Sequence, residues 1–215
     1  MTIKVLAFAD PFFSVRYITN ETDYEVGEKS ILVNLSEKPM HIRDQTLQSL
    51  QSVVVTNVVV EDLDHAVIIE RFADYPDEQQ LFEKVRKVWP SAYDVRGEER
   101  LKGVAHYMSP KEDLGQIRLS MYHAGSVPLK VGLHKDHPFC EVPGFREVHT
   151  QIVGFGKMQQ CRERDVSTLY MEELMAPGTT HRPMYDEFGN YPWHQFETIT
   201  PGIFMAFEIL PEKAV

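Results

Sequence analysis

The stretch Glu147-Val-His-Thr-Gln-Ile-Val-Gly154-Phe-Gly156-Lys-Met158 decides how this chain is read. Its apolar and β-branched residues make a strand. Residues two apart on a strand share a face, so Glu147, His149 and Gln151 point the same way. Three polar side chains on one face of so apolar a strand either meet solvent or line a polar cavity, and the alternating Val148 and Ile152 leave both readings open. Upstream lie His134 and His137; downstream lie Pro177-Gly178-Thr179 and Tyr191-Pro-Trp-His194. A carboxylate, a glycine pair beyond it and a distant histidine behind a proline are spaced as a small β-barrel gathers metal ligands into its mouth. Six of the nine histidines (His123, His134, His137, His149, His181 and His194) lie in this part of the chain, and neutral imidazole is the commonest metal-ligating side chain near pH 7.

Outward from that stretch the β signal persists. Residues 117–122, 129–133, 147–158, 168–174 and 202–209 are rich in β-branched and apolar residues, and turns on Pro128, Pro143-Gly144, Pro177-Gly178, Gly189-Asn190 and Pro201-Gly202 punctuate them. Many short strands separated this way indicate a sandwich or barrel. Residues 1–115 read as a β-rich extension, with strands at the N-terminus and over 31–35, 52–60 and 65–72. One helix is expected near 77–89: Asp77 caps it, Leu81, Val85 and Val88 share a face with Phe82 beside them, and Pro90 stops it. The charged segment 93–115 reads as a connector. The expected fold is mainly β, a barrel over 116–215 with 1–115 adding strands and a helix to its outside as one compact unit.

The net charge of −10, with no basic run interleaved with aromatics, argues against nucleic-acid binding. The most apolar run, Val53-Val-Val-Thr-Asn-Val-Val-Val60, is far too short to span a membrane, and the N-terminal apolar run is too short for a signal peptide. The two cysteines, Cys140 and Cys161, lack metal-ligand spacing and read as free thiols in a reducing compartment. The expectation is a soluble cytoplasmic protein acting on a small molecule. Strand edges in the N-terminal half are compatible with a homodimer.

These residues resemble the cupin superfamily, double-stranded β-helix (jelly-roll) barrels whose first motif supplies two histidines and a glutamate and whose second supplies a further histidine. Glu147 followed after six residues by Gly154 matches the end of the first motif. The series Gly154, Gly156, Met158, Pro177-Gly178-Thr179 and His194 is most similar to the cupin-type phosphoglucose isomerases. The resemblance covers residues 125–211. It implies that Glu147 and His194 ligate a divalent metal ion (Fe, Mn, Zn or Ni), with His134 and His137 as the upstream pair. It also implies an enzyme acting on a small metabolite, by metal-assisted proton transfer of isomerase or lyase type or by iron-dependent dioxygenation. The alternative is a non-catalytic cupin that binds a small ligand. Where the family has His-x-His, this chain has His134-Lys-Asp-His137. The extra spacer puts the imidazoles on opposite faces of a regular strand unless a bulge or turn intervenes at Asp136. An inserted loop, Pro138 to Arg146, would then lie over the site.

Glu147, His149 and Glu141 are the candidates for moving a proton, with Glu173 a further one. His149 is equally readable as a ligand or a core histidine. His181 competes with His194 for the second-motif role, and Arg182 beside it suits a substrate carboxylate or phosphate. Trp193 and Tyr185, together with Phe139, Phe145, Phe155, Tyr170, Tyr191 and Phe196, would exclude water and stack against a substrate. His41, His65, His106 and His123 have no companions at useful spacing and read as structural or solvated.

Overall fold

The computed structural model describes residues 2–129, 132–135, 137, 145–184 and 190–211. Its strands are β1 (Thr2–Leu6), β2 (Ser14–Val26), β3 (Ser30–Asn34), β4 (Met40–Ile42), β5 (Gln45–Leu47), β6 (Ser52–Val55), β7 (Val58–Glu70), β8 (His106–Met108), β9 (Glu112–Asp113), β10 (Ile117–Ala124), β11 (Arg146–Val153), β12 (Gly156–Cys161), β13 (Leu169–Met175), β14 (Trp193–Thr198) and β15 (Gly202–Ile209). Helices α1 (Glu78–Val88) and α2 (Ala92–Arg96) fall between β7 and β8. The strands form three antiparallel sheets. An N-terminal sheet runs β1-β2-β7-β3-β6, with the β4–β5 hairpin on β7; a middle sheet runs β11-β15-β10-β8, with β9 on β10; an outer sheet runs β13-β12-β14. The expected mainly-β fold is observed.

The middle sheet is covered on both faces. One face packs on the N-terminal sheet and α1: Leu119, Met121, Val148, Ile152, Met205 and Phe207 share a core with Phe13, Val15, Ile31, Val33, Leu81 and Val85. The other face meets the outer sheet, with Tyr122, Phe204 and Ala206 against Met158, Met175 and Phe196. The two sheets that enclose this second core are the barrel. β11 therefore has no solvent face, and its polar residues Glu147, His149 and Gln151 are buried. A third core, which includes Leu32, Met40, Leu63 and Ile68, lies among residues of the N-terminal sheet and its β4–β5 hairpin.

Local chemistry explains most boundaries. The Asp77 side chain accepts from Gln80 N at 3.1 Å and starts α1, and Leu81, Phe82 and Val85 are buried; Val88 is exposed, because the helix ends before that face closes. The apolar run 52–60 is two strands rather than one: Asn57, at φ +49°, turns the chain, so that β6 and β7 pair with opposite edges of β3. β2 was not anticipated, because Thr, Asn, Glu and Asp crowd a strand whose solvent side is wet. The connector 93–115 contains α2 and the short strands β8 and β9, which pair with β10. Among the described residues of 129–133 no strand forms, and His134 makes an isolated bridge instead.

The glycine pair is required by contact. Gly154 has φ +74°, and a Cβ there would lie 2.3 Å from the Pro201 carbonyl oxygen; a Cβ on Gly156 would lie 2.3 Å from Phe196 Cζ. Gly97 has a similar φ of +67° but open space around it. Gly154→Ala should therefore cost about 3 kcal/mol or more, strain and clash together, whereas Gly97→Ala should cost about 1 kcal/mol. Urea denaturation of the two variants checks this, and equal losses would contradict it.

Candidate metal site in the barrel cavity

Three histidines from two segments converge between the middle and outer sheets. His194 sits on β14, whose His194, Phe196 and Thr198 are buried and whose Trp193, Gln195 and Glu197 alternate to the other side. His134 is held beside it by a two-bond backbone bridge, His134 N–H to His194 O at 3.0 Å and His194 N–H to His134 O at 2.9 Å. His137 follows in irregular chain, so the two-residue alternation of a strand does not govern its direction. The turn expected at Asp136 lies outside the described residues. A ligand nitrogen from each of His134, His137 and His194 lies within 4.8 Å of the others.

The tautomers of these rings follow from what their Nδ1 atoms touch. His194 Nδ1 is 3.1 Å from the Pro192 carbonyl and His134 Nδ1 is 3.2 Å from the Gly132 carbonyl, and a carbonyl only accepts. His137 Nδ1 faces Glu147 Oε2 at 3.4 Å. Each Nδ1 thus carries its proton outward, and each Nε2 keeps a lone pair for the interior. His137 Nε2 and His194 Nε2 are 3.1 Å apart. Two bare lone pairs at that distance repel unless a proton or a cation stands between them. Burial disfavours the proton: it lowers the pKa of His134 to about 2 and of His194 to about 4, and it lowers that of His137 as well. The donor set fits a divalent cation, and imidazole ligands suit Zn, Fe or Ni.

Glu147 lies behind the triad. Its Oε2 faces His137 Nδ1, and its Oε1 is 3.6 Å from His149 Nε2. Burial opposes ionisation of this carboxyl, but the imidazoles of His149 and His137 outweigh it and hold its pKa well below the usual carboxylate range. His149 and Glu147 line a tight cavity of about 50 Å3 together with the three histidines. Phe196 lines it too, and Phe145 and Tyr191 pack edge-on to His137, with ring centroids 5.3 and 5.4 Å away.

Other residues singled out from the sequence are placed elsewhere. His181 is buried outside the cavity: its Nε2 accepts from the His149 backbone N–H at 2.9 Å, and its Nδ1 donates to the Arg182 carbonyl at 2.6 Å. It ties the loop after β13 to β11. Pro177-Gly178-Thr179 belongs to the same seam, where Ser52 Oγ donates to the Gly178 carbonyl at 2.7 Å and Thr180 links Ser52 to Thr150. Arg182 is exposed and paired with Glu173 through its backbone N–H and guanidinium. Trp193 faces away from His194 and stacks under Arg164. Phe155 is exposed. Tyr185, Glu141, Phe139, Cys140 and most of the expected loop over the site lie outside the described residues; Cys161 is a buried free thiol.

The cavity also contains residues that the sequence did not reveal. Arg96 and Arg100 reach it from α2 and the turn after it, and His106 and Tyr122 stack inside it with centroids 5.1 Å apart. The charge run Arg96-Gly-Glu-Glu-Arg100 was the only available signal, and it reads as a solvated connector.

Several buried histidines make stability depend on pH. Burial, the largest cause in each case, lowers His106 and His181 to about 3 and His123 to about 4, below the ordinary value of 6.5. The unfolded chain then takes up protons first as pH falls. Stability is whole above about pH 6.5 and is lost on the way down through pH 4. The urea midpoint should fall steadily from pH 7 to pH 4, and a flat profile would contradict the neutral, buried state of these rings.

No protein-family model matches the chain, and no curated protein does. Solved structures do. Oxalate decarboxylase from Bacillus subtilis matches at 10% identity over 95% of this chain and 70% of that one, with a TM-score of 0.37. AerE from Microcystis aeruginosa matches at 12% identity over 97% of both chains, TM-score 0.37. A salicylate 1,2-dioxygenase from Pseudaminobacter salicylatoxidans matches at 7% identity over 92% of this chain and 70% of that one, TM-score 0.34. At such values these likenesses carry no argument about chemistry. The chain forms a barrel of two antiparallel sheets with His134, His137, Glu147 and His194 gathered between them, the arrangement that the cupin resemblance implied.

Proposed function

We propose that this protein is a divalent-metal-dependent enzyme acting on a small metabolite by proton transfer, of isomerase or lyase type. The observation that carries this reading is the convergence of His134, His137 and His194, with their Nδ1 atoms tied off and their Nε2 lone pairs turned inward. A bound divalent ion would supply Lewis acidity, polarising a carbonyl and easing removal of the neighbouring proton. Glu147 orients His137 and faces His149, as the carboxylate behind a metal-bound imidazole does. In the same cavity Glu147 and His149 form a carboxylate–imidazole couple able to hold and pass a proton. Phe145 and Tyr191 pack edge-on against His137 and help to hold its ring. Proton transfer is favoured over dioxygenation by that couple, which oxygen chemistry at the ion would not need. Glu141 is retained as a candidate base on sequence grounds alone.

His194→Ala should abolish stoichiometric metal binding. Glu147→Gln should weaken it about tenfold while leaving the β-sheet circular dichroism unchanged. Full metal retention by both variants, measured by elemental analysis after dialysis, would remove the assignment. Metal-loaded protein should exchange the proton next to the carbonyl of its substrate with D2O without consuming oxygen. Oxygen uptake in step with substrate loss would instead favour the dioxygenase reading, and a metal-bearing protein inert in both assays would favour the binding protein.

A further inference from the structure

The cavity that holds the triad is also lined by two arginines. Arg96 and Arg100 line it, with side chains 12% and 25% exposed, and both are anchored on Glu98. Arg96 Nε donates to Glu98 Oε1 at 2.5 Å; Arg100 donates to Glu98 Oε2 from Nε at 2.8 Å and from Nη2 at 2.6 Å. One carboxylate thus fixes two guanidinium groups, and on Arg100 it engages two of the five N–H donors. Arg96 also reaches Tyr122 Oη at 3.5 Å.

Charge points to what this pair is for. Two guanidinium groups and one carboxylate, Glu147, are the charged side chains among the described lining residues, and Glu98 stands behind the arginines. A divalent ion on the triad would add two positive charges to a buried cavity that two guanidinium groups already line, which favours an anion joining them. Arg100 also lines a surface cleft of about 420 Å3 formed with Gly132, Leu133, Arg164 and Gln195. It therefore stands between solvent and the triad, at a position suited to leading an anion inward.

We propose that Arg96 and Arg100 form an anion subsite, and that the substrate is a small carbonyl-bearing carboxylic acid whose carboxylate lies on this arginine pair and whose carbonyl end faces His134, His137 and His194. Planar guanidinium groups match a carboxylate in shape as well as charge. The cavity is small, about 50 Å3, which suits a small acid. This inference rests on the metal-enzyme reading for the carbonyl end and for the added charge; the orientation of the arginine pair on Glu98 is independent of it.

The test is isothermal titration of pyruvate and of pyruvamide, its neutral isostere, into Zn(II)-treated wild-type protein, Arg100→Met and Arg100→Lys, with zinc content measured on the same samples. Wild type should bind pyruvate at least about tenfold more tightly than pyruvamide. Arg100→Met should lose that preference while keeping its zinc, and Arg100→Lys, which restores charge without the planar fork, should recover part of it. Equal affinity of the wild type for acid and amide, or an unchanged preference in both variants, overturns the subsite. A sample that takes up no zinc overturns the metal reading instead, and the acid-to-amide ratio in that same sample still decides the subsite.

Discussion

The middle sheet has no solvent face, and the rest of the molecule is arranged around that constraint. Its apolar side, with Val148, Ile152, Met205 and Phe207, is covered by the N-terminal sheet and α1. Its other side therefore becomes the interior of the barrel. Polar groups sent there must find partners inside the protein, because an unmatched buried polar group costs on the order of 1–3 kcal/mol or more. Glu147 finds two imidazoles, and His181 receives the backbone N–H of His149. The N-terminal half is thus part of the reason that the polar face of β11 is buried.

Burial in turn sets the chemistry of the triad. A buried imidazole is cheapest when neutral, and a neutral imidazole with its Nδ1 proton committed has one lone pair to offer. Backbone carbonyls commit His134 and His194, and a carboxylate commits His137. The His134–His194 bridge brings two of the rings together through main-chain bonds alone. The pairing of His134 with His194 is accordingly built into the backbone.

Another part of the cavity's lining comes from a different stretch of the chain. Arg96 and Arg100 arrive on α2 and the turn that follows, a segment with little apolar periodicity. Glu98 holds both guanidiniums in place, so the cationic surface is rigid in the sense that matters for recognition: its donors are oriented before anything binds. In this way the connector between the halves becomes one wall of the cavity.

What the sequence determined alone was local. Asp77 and Pro90 bracket α1, the turn-forming prolines and glycines divide the barrel strands, and the two-residue period of β11 puts Glu147 and His149 on one face. These follow from short-range sterics and hydrogen bonding, which the chain carries at every position. The resemblance added the motif order that brought His134, His137 and His194 forward. Whether the polar face of β11 met water or a cavity was not legible, because that depends on which surface covers Val148 and Ile152. Nor was the place of Arg96 and Arg100, since a charge run in a connector looks the same in solvent as against a cavity. The roles of Trp193 and Arg182 turned on strand alternation and on Glu173, again set by packing. Only the tertiary structure decided these points, because burial is a property of what lies opposite a residue and no local pattern records it.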